Sequence, residues 1–381
     1  MTLDDVAIYI NKKIDITEIK REQYIATDNM FKDKLGVYVA DIFPKTGKVI
    51  KFEKDDILIS NIRPYFKKIW KATFDGGCSQ DVLVFRSKDT KILSANALYS
   101  ILADDCFFKY VMLAPKGSKM PRGDKEHIMR YKIDLEKNNN EIGDILYKIV
   151  SKIEKNDIIF NKYNELLKSL YYFHFDSKNI NSSNFSEYDQ KHVFNFNNIP
   201  ECEILKTGID VFSGYKNYLA TANVNEERIS DGKYIEYINR EGRANMQPMD
   251  NSIWFAKMKD SIKHIGIPSN SKWFKDKYIL STGFCGIRCS ELLFPYIYTF
   301  ISFDNFENQK NRLAHGDTQQ AINGSDLDNI YIFIPNKEEL KKFSDIANKI
   351  LKYKFNLIKE NQYLYKLREL ILNSICITSE K

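Results

Sequence analysis

The 381-residue chain lacks the motifs by which most enzymes are recognised. Thr46-Gly47-Lys48 has no upstream glycine to make a Walker A loop, and no Gly-x-Gly-x-x-Gly follows a strand-like run. Without an Asn-Pro-Pro-Tyr or Asp-Pro-Pro-Tyr run, adenine methyltransfer has no local signature. His-Glu-x-x-His and Gly-x-Ser-x-Gly are also missing, so neither a zinc peptidase nor an α/β-hydrolase is indicated. Glu53, Asp55 and Asp56 crowd around Lys54, but they read as a solvated turn before a strand rather than a metal nuclease set. Cysteine is scarce: positions 78, 106, 202, 285, 289 and 376. Only Cys285 and Cys289 are close, and no second pair or nearby His completes a zinc set. Reduced thiols and no metal are the expectation. Long apolar runs are absent too. The most apolar window, residues 291–303, is broken by Pro295 and is too short to span a bilayer. The opening stretch MTLDDVAIYINKKIDI has no basic region followed by an apolar core, so a cytoplasmic protein with no membrane partner is expected. No catalytic constellation stands out, and a binding protein is expected rather than an enzyme.

What is present is order and repetition. Apolar residues make up 43% of the chain, enough for folded cores. The formal net charge of +6 permits a polyanionic partner without requiring one. Tyr24-Ile25-Ala26-Thr27-Asp28-Asn29 is answered by Tyr218-Leu219-Ala220-Thr221-Ala222-Asn223, an offset of 194. Gly36-Val37-Tyr38 is answered by Gly232-Lys233-Tyr234, and Ile57 to Arg63 by Ile253 to Lys259, both at 196. Gly123-Asp124 aligns with Gly316-Asp317 at 193, and Ile149–Ile153 with Ile346–Ile350 at 197. Ordered matches at a near-constant offset mark two diverged copies of one unit.

Each copy ends in a long helical pattern. Leu146, Ile149, Ile153, Phe160, Leu167 and Leu170 form a seam at 3,4 spacing, with Asn156 and His174 as polar departures. Ile346, Ile350, Leu357, Leu364, Leu367 and Ile371 form the second seam, with Glu360 as its departure. About 33 helical residues span roughly 50 Å, more than one head would cover. Two such helices in one pseudo-symmetric chain most simply pair antiparallel. The fold expected is α+β: two similar α/β heads separated by two long helices that form an antiparallel coiled coil, an internal pseudo-two-fold repeat. Its divisions are residues 1–138 for the first head, 139–176 for the first helix, 177–196 for a Ser/Asn-rich linker, 197–336 for the second head and 337–377 for the second helix.

Both copies set cations at comparable places. Arg63, Lys67 and Lys68 are interleaved with Tyr65, Phe66 and Trp70, and Lys116, Lys119 and Arg122 lie in a Gly-punctuated loop. The second copy offers Lys257, Lys259 and Lys263, then Lys310, Arg312 and His315 among Asn and Gln. Lys and Arg supply phosphate contacts, and Arg, Asn and Gln read base edges. The doubling favours a DNA surface over a merely solvated basic face.

At these residues the chain resembles the specificity (S) subunits of type I restriction–modification systems. The likeness rests on Asp56 to Pro64, the Lys116–Gly123 loop, Gly208 to Asn225, and Gly316-Asp317-Thr318-Gln319-Gln320-Ala321-Ile322, which is similar to the Gly-x-x-Gln-x-x-Ile signature preceding that family's helices. The resemblance implies that the heads are target-recognition domains for a bipartite, asymmetric site in double-stranded DNA. It implies that the helices are spacers and the chain itself non-catalytic. Two adenine-N6 methyltransferase subunits would be its partners in DNA methylation, joined in the full complex by restriction and translocase subunits. S-adenosylmethionine and ATP would sit on those partners, with no cofactor on this chain. Two alternatives remain open: a coiled-coil adaptor without sequence-specific DNA binding, and an enzyme with an unrecognised nuclease site.

Overall fold

Runs of β-branched and aromatic residues bounded by turns pair into sheets, and the computed structural model of this chain builds one set of such sheets twice. It describes residues 1–32, 34, 36–117, 120–135, 139–175, 192–230, 232–317 and 319–376, with side chains to residue 372. Most of the proposed linker, and Lys119, lie outside these residues. The chain divides into two compact units, Met1–Ile158 with Tyr363–Lys381, and Ile159–Gln362.

The first unit holds β1 (Ala7–Ile10), β2 (Lys13–Asp15), β3 (Tyr24–Ile25), β4 (Lys48–Phe52), β5 (Ile57–Ser60), β6 (Ile69–Lys71), β7 (Gly76–Cys78) and β8 (Val82–Ser87). The second holds β9 (Cys202–Leu205), β10 (Lys216–Leu219), β11 (Lys233–Ile235), β12 (Ala244–Met246), β13 (Ser252–Ala256), β14 (His264–Ile267), β15 (Tyr278–Ser281) and β16 (Phe284–Cys289). One sheet runs β1-β8-β5-β6 in the first unit and β9-β16-β13-β14 in the second, all antiparallel. The other contains β3-β7-β4 in the first unit and β10-β15-β12 in the second. Its parallel pairing recurs: Tyr24 faces Gly77 and Tyr218 faces Ile279. The fourth strand differs, β2 lying beside β4 but β11 beside β10.

Local contacts repeat with the topology. Ala26 N donates to Asn29 Oδ1 at 2.6 Å, and Ala220 N to Asn223 Oδ1 at 3.0 Å. The all-buried β13 shows how tightly the second sheet packs. Trp254 lies opposite Gly286, where a Cβ would stand 2.4 Å from the indole, so only glycine fits. Four cysteines, 78, 202, 285 and 289, are free as expected. Cys106 is not: it is disulfide-bonded.

Two long helices cover Asn140–Phe175 and Lys337–Cys376. Asparagine starts each one, Asn139 Oδ1 accepting from Ile142 N and Asn336 Oδ1 from Glu339 N. Within the first unit, Leu146 packs on Leu372, with Ile142 and Ile371 beside them. Within the second, the Tyr163 and Tyr353 rings stack at 6.4 Å, and Tyr171 meets Phe343 edge-on at 6.0 Å. Low numbers on one helix thus meet high numbers on the other, and the pieces in each unit run antiparallel.

The first helix buries the residues expected of it: Leu146, Ile149, Ile153, Phe160 and Leu167, with Leu170 half-buried. The second needs a correction. Ile350 is buried and Leu357, Leu364 and Ile371 are half-buried, but Ile346 and Leu367 are 46% and 45% exposed. The inward positions are one residue further on: Ala347, Lys354, Asn361 and Arg368, each seven residues after the last. Three of the four are polar. A search for apolar residues therefore selects Ile346, Tyr353 and Leu367, their outward neighbours.

This assignment is testable by urea denaturation. Leu146→Ala should cost about 2–4 kcal/mol, because it empties packed space against Leu372. Ile346→Ala should change stability by less than about 0.5 kcal/mol. Equal losses would contradict the placement of the buried stripe.

Candidate nucleic-acid interface

Each unit presents a short hairpin laid against the turn that joins a central strand to an edge strand, β5 to β6 and β13 to β14. In the first, Pro115–Lys116 pairs with Arg122–Gly123, and Arg122 bridges to Ile62 in the β5–β6 turn. In the second, His315 bridges to Ala321, and Ala321 to Met258 in the β13–β14 turn. The backbone amide of Arg63 donates to Pro121 O, and that of Lys259 to Gln320 O, both at 2.9 Å. The hairpins end alike. Asp124 Oδ1 accepts from the amides of Glu126 and His127, Asn323 Oδ1 from those of Ser325 and Asp326.

These pairings correct the loop alignment. Lys116 corresponds to His315, Arg122 to Ala321 and Asp124 to Asn323, an offset of 199 rather than 193. Gly117, not Gly123, is the counterpart of Gly316. Both have a left-handed backbone, φ +88° and +119°, which a side chain rarely adopts. Gly123 is itself a buried strand position, paired with Pro115. Gln320, from the signature stretch, occupies the place of Pro121 and holds Lys259 Nζ at 2.8 Å through its side chain.

The candidate cations fall into three groups. Some are structural. Lys68 Nζ donates to Thr27 O at 2.6 Å and Lys263 Nζ to Thr221 O at 2.8 Å, the same clamp in both copies. Lys310 was expected on the DNA surface and is not there: it is 0% exposed, and its Nζ donates to Ala256 O, Ser261 O and Glu307 Oε1. Moving it to a phosphate would abandon Glu307 in the core. Others are exposed or half-exposed but already paired. Lys67 meets Asp105 at 2.6 Å, Arg122 meets Asp81 at 3.1 Å, Lys116 pairs with Asp124, and His315 Nδ1 lies 3.6 Å from Asp326. The Lys116 contact, with two amides, holds the Asp124 carboxyl down at about 2. Among the described residues, Arg63 and Arg312 are exposed with no carboxylate partner, and Lys257 is half-buried with its side chain unpaired.

A buried charge cluster holds the second head to its stretch of helix. In the second unit Glu227 accepts from Lys354 Nζ and from the Tyr298 hydroxyl, Lys354 Nζ donates to Tyr298 at 2.8 Å, and His264 Nε2 lies 3.3 Å from Glu227. Burial opposes ionisation, yet Lys354 and His264 keep the Glu227 carboxyl well below the usual carboxylate range. In the first unit the half-exposed Asp105 binds both Lys34 and Lys67 within the head itself, at 2.7 and 2.6 Å, while burial and then the like charge of Arg368 on the second helix disfavour the Lys34 cation. Sequence reasoning missed Glu227 and Lys354. They lie 127 positions apart, and a helical lysine ordinarily faces water.

No family model and no curated protein sequence matches the chain. Among solved structures, the S subunit of a type I restriction–modification system from M. genitalium is similar over 98% of this chain and 95% of its own, at 15% identity and a TM-score of 0.53. The likeness is one of fold. The HsdS subunit from Thermoanaerobacter tengcongensis aligns over 98% of this chain and 95% of its own, at 12% identity and a TM-score of 0.34. A chain from a study of complex assembly in the type I R-M system aligns over 98% and 96%, at 13% identity and 0.35.

Lys354→Met should destabilise the second unit by ~3–5 kcal/mol, since it strands a buried carboxylate. Glu227→Gln with Lys354→Met should recover much of that loss. A depressed carboxyl contributes stability above its unfolded pKa of about 4.3, and the contribution is lost on acidification. The native chain should therefore weaken as pH falls below about 5, and the double variant should show a shallower slope. A single variant as stable as the native chain in thermal scans would refute the pairing.

Proposed function

We propose that this chain is a non-catalytic DNA-specificity subunit of a methyltransferase–restriction complex, recognising a bipartite, asymmetric site in duplex DNA. One observation carries the reading: the same hairpin-and-turn surface is built twice, on heads whose exposed side chains differ. Equivalent frames with different side chains suit two unlike half-sites on one duplex. Arg63 and Arg312 are the cations best placed for DNA contact, one on each head. The fold likeness to the M. genitalium S subunit supports the same assignment.

Recruitment of partners is assigned to the outward faces of the long helices, which act as coiled-coil spacers. Ile145, Ile158, Tyr363, Leu367 and Leu370 are exposed in the first unit, and Ile159, Leu166, Phe173, Ile346 and Tyr353 in the second. Apolar side chains on a polar helix surface suit the docking of partner helices. Two adenine-N6 methyltransferase subunits are the proposed occupants, carrying S-adenosylmethionine. ATP belongs to restriction subunits that join them.

Co-expression with a methyltransferase subunit and mapping of N6-methyladenine should give a split, asymmetric motif. Exchange of residues 1–138 for a related head should alter one half only; a change in both halves would contradict modular reading. Arg63→Ala and Arg312→Ala should each reduce the salt dependence of DNA binding by about one phosphate contact. Ile346→Asp with Leu367→Asp should abolish co-purification of the methyltransferase without unfolding the chain. Retention of the partner, or DNA binding indifferent to sequence, would favour an adaptor instead.

A further inference from the structure

The β5–β6 turn of the first unit is held in a conformation its residues do not favour. Arg63 (φ 50°, ψ 64°) and Lys67 (φ 50°, ψ 42°) are both left-handed, and between them Pro64–Phe66 closes a single 3-10 turn. Two non-glycine residues in that region cost free energy, so the surroundings must impose it. Pro121 O takes the Arg63 amide on one side. On the other, the Lys34 amide donates to Lys67 O at 3.0 Å while Asp105 binds both lysine side chains. The result is a rigid projection tipped by Tyr65, which is 48% exposed.

The Tyr65 ring meets Phe66 edge-on at 4.7 Å. Lys32 Nζ stands 4.1 Å and the Arg63 guanidinium 6.0 Å from the Phe66 ring centroid. Neither cation has a carboxylate partner among the described residues. An exposed ring packed on a second ring that two unneutralised cations flank is matched to a partner that is both stackable and anionic. The equivalent turn of the second unit is built otherwise. There the left-handed residue is an acid, Asp260 (φ 54°), engaged by Asn311, and the exposed tip is the aliphatic Ile262.

We propose that Tyr65 stacks into a base step of the DNA half-site read by the first head, partly unstacking it, while Arg63 and Lys32 hold the flanking phosphates. The second head has no aromatic counterpart, so the distortion is confined to one half of the site. This proposal rests on the DNA-specificity reading above and adds a wedge residue to it. A preset turn suits the task, because a wedge must arrive in shape to separate bases.

The test uses the full chain with duplexes enriched from a randomised pool, 2-aminopurine replacing successive adenines. The native protein should raise fluorescence several-fold at one step of one half-site. Tyr65→Ala should abolish the rise and weaken binding about tenfold, as loss of one base–ring stack does. Tyr65→Phe should preserve both. Arg312→Ala, on the other head, should weaken binding and leave the fluorescence rise intact. Sequence-specific binding with Tyr65→Ala behaving as native, or Tyr65→Phe failing as badly as Tyr65→Ala, would overturn the wedge and leave the DNA reading standing. Enrichment of no sequence at all would remove the DNA reading and the wedge with it.

Discussion

Glu227 and Lys354 share a site with almost no access to water, and neither can be withdrawn alone without stranding the other. An apolar seam tolerates sliding, since one methyl contact resembles the next. A buried charge pair does not, because only one register satisfies it. The second head is therefore tied to its stretch of the long helix in a single arrangement. In the first head Asp105 joins Lys34 and Lys67 to each other, within the head and in a more exposed setting. Whatever the second head binds, it presents it from a fixed seat.

The duplicated clamps show what the ancestral head required. Lys68 and Lys263 each reach back to a threonine carbonyl, and Asn29 and Asn223 each cap the segment containing it. These residues are fixed by the frame. Divergence gathers instead on the exposed turns, where Tyr65 stands in one copy and Asp260 with Ile262 in the other. A scaffold kept constant beneath unlike tips is what an asymmetric recognition surface needs.

Much of this was legible in the sequence. The repeated strand order and the two long helices followed from spacing, because apolar periodicity reports burial directly. Fitness of single residues was harder to read. The inward face of the second helix holds Lys354, Asn361 and Arg368, so its phase was taken from the apolar residues beside them. The loop alignment follows a Gly-Asp dipeptide, whereas the constraint is a left-handed glycine five residues before the strand that closes the hairpin. Lys310 looked like a surface cation because nothing local announces its two distant carbonyl acceptors, Ala256 O and Ser261 O. Arg63 and Arg312, two among a dozen candidate cations, stand apart only once their neighbours' carboxylates are located.

If the paired helices set the distance between two reading heads, lengthening both should move the heads apart along DNA without changing what each reads. Insertion of seven helical residues after Ile158 and seven after Gln362 adds about 10 Å to each helix, close to three base pairs. Mapping of the motif methylated when the lengthened chain is co-expressed with a methyltransferase subunit tests this directly. The account predicts the same two half-sites with the gap between them widened by about three base pairs. An unchanged gap, or altered half-sites at the original spacing, would contradict it.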